Sequence, residues 1–469
     1  MDTKRSDSSK SFICVERLKE LASSPCPQAY KIEEILQKAK KLKGLGLEDV
    51  AALLQIEDPA SIKKLLETAE YIKQKIYGRR MVLFAPLYTG NVCNNNCLYC
   101  GFRKDNKDIA RMILNKDQIT QEVVALLNQG HKRLLMICGE SEKNSIDYML
   151  DAIHTAYSVQ AGNSSVRRIN VELAPMSVSD FARLKQAKIG TYVCFQETYN
   201  PDLYREYHPS GPKADYLYRL MVMDRAMQGG IDDVGLGVLF GLEDYRFEVL
   251  AIMEHARHLE ENFQCGPHTV SVPRIEPADN APLSQHIPYP VSDENFKKII
   301  AIIRIALPYT GIILSTRESE SLRNELFQYG ISQISAGSRT NPGSYATGCG
   351  SQKSGEQFSL GDHRSLEEVI SHLIDMEYIP SFCTGCYRKG RVGHDFMDLA
   401  KPGLIQKFCM PNALFTFAEY LEDYASSMTI QKGYALIDKC IQDVKDTSLQ
   451  TKIQEAILKI KNQERDIYF

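Results

Sequence analysis

The residues best equipped for chemistry in this chain are Cys93, Cys97 and Cys100, in the run CNNNCLYC. Their C-x3-C-x2-C spacing puts three thiolates on one short loop, directly after the apolar stretch MVLFAPLY. Three such thiolates can hold three irons of a [4Fe–4S] cluster. The fourth iron is then left without a protein ligand, and an open coordination position is what separates a catalytic metal centre from a structural one. A cluster built only to carry electrons would want a fourth cysteine close by, and none lies closer than Cys138. A zinc knuckle is the competing use of the spacing.

A second triad lies near the end of the chain. The segment CTGCYRKGRVGHDFMDLAKPGLIQKFC supplies Cys383, Cys386 and Cys409 as C-x2-C-x22-C, again without a natural fourth cysteine. On this segment alone, an iron–sulfur cluster and a zinc ion held by the three cysteines and His394 fit equally well. The first triad tilts the balance toward iron–sulfur. Arg388, Lys389 and Arg391 make the surroundings electropositive, which suits an anionic cluster or an anionic product.

These triads need a scaffold. Up to about residue 80 the pattern is helical: EEILQKAK, LEDVAALL and ASIKKLLETAEYIKQKIYG carry apolar residues three and four apart. From residue 81 the pattern changes to β-rich runs at 81–88, 133–138, 168–174, 190–199, 233–241, 269–277, 311–317 and 333–340, separated by amphipathic helical stretches. Eight strand–helix alternations predict an α/β fold, a (β/α)8 TIM barrel, with an open doubly wound sheet as the alternative. In such a barrel chemistry gathers where the strands end. The first triad follows the first strand there. Gly139 and Glu140 follow the second, Glu197 the fourth, Arg274 and Glu276 the sixth, Arg317 the seventh and Ser338 the eighth. For any one of these a structural hydrogen bond is the simpler role; their convergence on one rim is what favours a site. After residue 341 a Gly/Ser-rich stretch reads as a long loop or linker, and a mainly helical tail follows. The expected organisation is an N-terminal helical extension (1–80), a barrel (81–341) and a C-terminal domain (342–469) carrying the second triad.

With 469 residues, 43% hydrophobic and 25% charged, the chain has the composition of a globular protein. Its net charge of −3 implies no general attraction to nucleic acid or to an anionic membrane. No apolar run is long enough to span a bilayer, and the N-terminus lacks the apolar core of a secretion signal. A cytoplasmic location is expected, with the Ser and Lys content of the N-terminus leaving organelle targeting open. Thirteen cysteines without an export signal read as thiols and metal ligands rather than disulfides. Cys14, Cys26, Cys138, Cys194, Cys265, Cys349 and Cys440, outside the triads, read as small buried hydrophobes.

The first triad resembles the loop of the radical S-adenosylmethionine (SAM) enzymes, in which the bare iron chelates SAM and an electron from the cluster cleaves it to a 5′-deoxyadenosyl radical. Within these, LYTGNVCNNNCLYCGFR, QETYNPDLYREYHPSGPKADYLYRL, DRAMQGGIDDVGLGVLFGL, GPHTVSVPRIEPA, STRES and the C-x2-C-x22-C tail are similar to the HydG family, the tyrosine lyases that mature [FeFe]-hydrogenase. Several of these segments also occur in the ThiH family of thiamine biosynthesis; the tail distinguishes HydG.

The resemblance implies that the radical takes a hydrogen atom from the amino group of L-tyrosine, whose Cα–Cβ bond then breaks to give p-cresol and dehydroglycine. Conversion of dehydroglycine to CO and cyanide then follows at the second cluster, for assembly of the hydrogenase H-cluster. It implies Cys93, Cys97 and Cys100 as ligands of the SAM cluster and Cys383, Cys386 and Cys409 as ligands of a second [4Fe–4S] cluster. An extra iron would be held through a bound cysteine molecule and His268. Tyr99 matches a position beside the adenine, Gly139 and Glu140 the motif that binds the SAM ammonium, and Glu197 a partner for the ribose or amine of SAM. Arg317 and Ser338 are placed for a substrate carboxylate, with an internal pair to Glu318 as the competing role of Arg317. Arg274 is a further candidate for anion binding. The implied partners are L-tyrosine, a low-potential electron donor such as ferredoxin or flavodoxin, and other hydrogenase maturation proteins. A ThiH-type lyase, or an iron–sulfur scaffold without catalysis, are the rival readings.

Overall fold

The computed structural model describes residues 11–347, 355–390, 393 and 406–469. Its centre is a parallel sheet of nine strands whose first eight close into a barrel. These are β1 (Arg80–Gly90), β2 (Arg133–Cys138), β3 (Arg168–Glu172), β4 (Thr191–Val193), β5 (Asp233–Gly237), β6 (Thr269–Ser271), β7 (Gly311–Leu314) and β8 (Gln333–Ser335). Seven fall within the runs expected from the sequence, and β1 overruns its own, 81–88, by one residue at the start and two at the end. The last pairs back to the first through Val82↔Gln333, Leu83↔Ile334 and Phe84↔Ser335, which closes the ring. Helices such as Lys116–Asn128, Ile146–Ser158, Tyr245–Phe263 and Asp293–Ala306 cross between strands and cover the outside. Parallel strands buried on both faces read as near-continuous apolar runs, and β7 (GIIL) is buried at every position.

The N-terminal residues form four helices, Val15–Ala22, Ala29–Ala39, Leu47–Leu54 and Pro59–Ile76, packed against the barrel's outer helices. Asp58 caps the last of these by accepting from the Ser61 amide at 2.8 Å, and Pro59 follows at the first helical position. Lys298 of a barrel helix donates to the carbonyls of Leu54 and Ile56 at 3.1 and 3.0 Å. A cation at the C-terminal end of helix Leu47–Leu54 opposes the negative end of its dipole and ties the layer to the barrel.

The ninth strand, β9 (Ile379–Ser381), lies in the tail that the sequence marks as mainly helical. It pairs with the start of β1, Arg80↔Ile379 to Val82↔Ser381. With only three residues and a central proline, it carries no recognisable strand pattern. β1 forms it by starting early, leaving an unpaired edge below its contacts with β2, which begin at Ala85. The segment 355–362 also differs from the expected linker. It lies across the barrel mouth, with Gly101 N donating to Gln357 O at 2.9 Å, Gln357 N to Thr340 O at 3.1 Å, Ser359 N to Pro277 O at 2.8 Å and Gly361 N to Thr316 O at 2.9 Å. Among the described residues no helix is long and apolar enough to cross a membrane.

Candidate active site

The loop after β1 carries Cys93, Cys97 and Cys100 to the C-terminal mouth of the barrel, where all three line one pocket with Gly139, Glu140, Glu172 and Glu197. Burial pushes the Cys97 thiol up to about 12 and the Cys100 thiol to about 11, with the neighbouring thiols adding to both. Thiolates crowded in a buried pocket call for a cationic partner, which is what a metal centre supplies. Gln357 reaches in from the mouth-covering segment, donating to Cys100 Sγ at 3.7 Å and accepting from the Tyr88 hydroxyl at 2.7 Å.

Each rim residue has a definite place. Gly139 is packed so closely that a Cβ would meet Val92 O at 2.6 Å. Glu140 accepts from Asn95 Nδ2 at 2.6 Å, and its carbonyl accepts from the Asn94 amide at 2.7 Å, joining the Gly-Glu turn to the cysteine loop. The Tyr99 hydroxyl lies 2.7 Å from His208 Nε2, while His208 Nδ1 lies 2.7 Å from the Tyr204 carbonyl. A carbonyl can only accept, so Nδ1 holds the proton and Nε2 accepts from Tyr99. Glu197 sits at φ +71 and pairs with Lys213 Nζ at 2.5 Å. A glutamate in left-handed backbone is strained, and such strain gathers at functional sites.

Below this pocket the barrel holds a cavity with apolar walls and a few convergent polar groups, the usual make-up of a small-molecule site. Phe84, Phe195, Leu239 and Phe358 make its apolar walls, and Ser338, Arg317 and Glu172 bring polar groups into it. Arg317 lies 3.3 Å from the Phe358 ring centroid, and its guanidinium makes no hydrogen bond or ion pair with the described residues. Glu318 does not compete for it, because Glu318 is paired with Arg274. The Ser338 hydroxyl is buried without a partner. Arg274 corrects the sequence expectation: its guanidinium donates to Glu318, to the Val291 carbonyl at 2.8 Å and to Asp293 at 2.9 Å, outside the cavity, which leaves no fork for a substrate anion.

The second triad lies at the opposite end of the barrel. β9 runs into Cys383, a short helix (Gly385–Arg388) carries Cys386, and helix Gln406–Asp423 carries Cys409. The three line one pocket with Arg80, Arg133, Arg168, Asp233 and His268, residues at the beginnings of the strands. His268 Nδ1 lies 3.5 Å from Asp233 Oδ1, and burial holds its basicity down. Arg133 is pushed down to about 9, by burial and then by Arg168. Among the described residues no three His, Cys, Asp or Glu side chains stand together as a site for a single metal ion. His394, the fourth ligand of the zinc alternative, lies outside the described residues, as does Cys349. The sulfur-rich, cationic pocket suits an anionic polynuclear centre. From Arg80 to Tyr88, β1 spans both sites, a separation of about 26 Å at ~3.3 Å per residue.

Five functional candidates escaped the sequence reading: Glu172, Gln357, Arg80, Arg133 and Arg168. Glu172 ends β3 within an apolar run, and its rim position was its only signal. Gln357 lay in a stretch marked as linker. The arginines at the strand beginnings became visible only when β9 brought the second triad beneath them. Of the scattered cysteines, Cys194 and Cys265 are buried as expected, while Cys14 and Cys26 are exposed.

Comparison with known proteins agrees with this geometry. Residues 87–256 match the Radical SAM superfamily and residues 271–379 the Biotin and Thiamin Synthesis associated domain. A crystal structure of HydG, a maturase of the [FeFe]-hydrogenase, is 46% identical over 98% of this chain and 100% of its own, with a TM-score of 0.94. This chain belongs to the HydG family of radical SAM enzymes. The FeFe-hydrogenase maturase HydG from Carboxydothermus hydrogenoformans is 41% identical over 94% of this chain and 97% of its own, with a TM-score of 0.82. The 2-iminoacetate synthase of Escherichia coli is 31% identical over 343 residues, 72% of this chain and 87% of that protein. Family membership implies SAM and a [4Fe–4S] cluster as cofactors. The first triad's pocket fits them, with three thiols on one loop and acidic side chains around them.

Proposed function

We propose that this protein cleaves the Cα–Cβ bond of L-tyrosine to p-cresol and dehydroglycine at the first triad, and that dehydroglycine becomes CO and cyanide at the second for hydrogenase maturation. The observation that carries the reading is the cavity beside Cys93, Cys97 and Cys100. It holds an unpaired guanidinium, Arg317, and an unpaired carboxyl, Glu172, between apolar walls. An amino acid with a large aromatic side chain needs these groups: a fork for its carboxylate, an acid for its amine and a ring-lined slot.

The cluster and SAM, when bound by Cys93, Cys97, Cys100, Glu140 and Glu197, supply a radical able to remove a hydrogen atom. The chain's own task is to fix the substrate against it and exclude water. Arg317 and Ser338 hold the carboxylate, Phe84, Phe195 and Phe358 enclose the ring, and the segment bearing Gln357 and Phe358 roofs the mouth. At the far end, Cys383, Cys386 and Cys409 hold the second cluster, and His268 with a bound cysteine molecule holds an extra iron. The electron donor is a low-potential protein such as ferredoxin or flavodoxin.

A ThiH-type lyase, stopping at dehydroglycine, is the second reading, favoured by the likeness to 2-iminoacetate synthase. The second triad and a likeness to HydG that spans nearly the whole chain favour the first. Anaerobic incubation of the full chain with SAM, tyrosine and a reductant separates them. Both p-cresol and CO are expected; p-cresol without CO would sink the maturase reading, and neither product would sink both.

A further inference from the structure

Tyr99, Cys100, Ile137, Glu172, Glu197 and Gln357 line both the pocket of the first triad and the cavity below it. They mark the junction where a radical made above would meet a substrate bound beneath. Two of them are acids. Glu197 is held by Lys213 at 2.5 Å, with Arg219 at 4.0 Å. The Glu172 carboxyl has no hydrogen bond or ion pair with the described residues. The register fixes its level: it stands beside Ile137 on β2 and Val193 on β4, at the last step of β3. The charged and titratable groups around it are Glu197, Arg317, Lys213, Arg219 and Tyr88.

We propose that Glu172 is a catalytic residue, accepting a proton from the substrate's α-ammonium so that the amine meets the radical in its neutral form. The proposal rests on the tyrosine-lyase reading above and assigns a step within it. Tyrosine enters solution chemistry near neutrality as an ammonium. Taking a hydrogen atom from an ammonium would leave a cationic nitrogen radical, whereas taking it from a neutral amine leaves a neutral one. The preceding step balances as ammonium plus carboxylate giving amine plus carboxylic acid, with no oxidant or reductant. Arg317 fixes the neighbouring carboxylate, which aims the nitrogen at the junction. Burial, and then the charge of Glu197, push the Glu172 carboxyl up to about 7, against the pull of Arg317. That is the range in which a general acid–base group works best at neutral pH.

The test is a comparison of wild-type protein with Glu172→Gln and Glu172→Asp, each first shown to carry the same iron content and SAM affinity as wild type. If wild type forms no p-cresol, the lyase reading fails and Glu172 is not at issue. If it does, its kcat at saturating tyrosine should rise as pH passes upward through about 7, as the carboxyl ionises. Glu172→Gln should lose roughly 100-fold in kcat at neutral pH. It should lack that inflection and recover at alkaline pH, where free tyrosine is already neutral at nitrogen. Glu172→Asp should retain the inflection. A binding measurement adds a readout without turnover. Wild type should prefer L-tyrosine to 3-(4-hydroxyphenyl)propionate, which lacks the amine, and Glu172→Gln should lose most of that preference. A Glu172→Gln protein with unchanged kcat and pH profile, or a wild type with no inflection, would overturn the proposal.

Discussion

At the C-terminal mouth of the barrel the three thiols of the first triad come from one continuous loop. At the other end Cys383, Cys386 and Cys409 come from a strand end, a short helix and a long helix that meet only in the folded chain. The surroundings differ too. The first triad's pocket brings in three acids, Glu140, Glu172 and Glu197, with Lys213 and Arg219 beside them, while the second's brings in Arg80, Arg133 and Arg168 with Asp233. Acids suit cationic ammonium and sulfonium groups, and arginines suit anionic centres and small anions. One barrel thus offers two ends of different charge balance, acid-rich at the first triad and arginine-rich at the second, joined by the strands between them.

The largest break in this comparison should come from Cys97→Ala, which removes one ligand of a three-ligand site. Both 5′-deoxyadenosine and p-cresol should fall below detection by chromatography, while the second site keeps about four irons per chain in place of about eight or more. Arg317→Lys should come next. A lysine keeps the charge but loses the fork, and a charge-assisted hydrogen bond contributes roughly 1.5–3 kcal/mol, so kcat/KM for tyrosine should drop roughly 10- to 100-fold with SAM binding intact. At the other end, Arg133→Met should lower CO yield per p-cresol by roughly tenfold, the worth of one lost charged contact, and leave p-cresol formation unchanged. The smallest effect is expected of Gln357→Leu. Losing an N–H donor to Cys100 Sγ should make the first cluster's potential more negative by on the order of tens of millivolts in an EPR titration.

The same contrast explains what was legible in the sequence. The eight barrel strands could be read because buried parallel strands are short apolar runs at a regular spacing, and the first triad because its spacing is local. The site around the second triad could not, beyond its cysteines. β9 is too short to carry a pattern, and Arg80, Arg133 and Arg168 look like ordinary charges flanking strands until the tail folds beneath them. Arg274 shows the opposite error. Its position just after the sixth strand pointed to the site, yet Glu318 and Asp293 satisfy it on the outside. Rim position alone could not separate it from Arg317, since the partner that decides the matter, Glu318, comes from the segment after the seventh strand.

The claim that the two ends have separate tasks is tested most directly by Cys386→Ala in the full chain. With SAM, tyrosine and reductant, p-cresol and CO would be measured in the same anaerobic reaction. The account predicts p-cresol at the wild-type rate and no CO. Loss of both products together, or CO at the wild-type level, would contradict it.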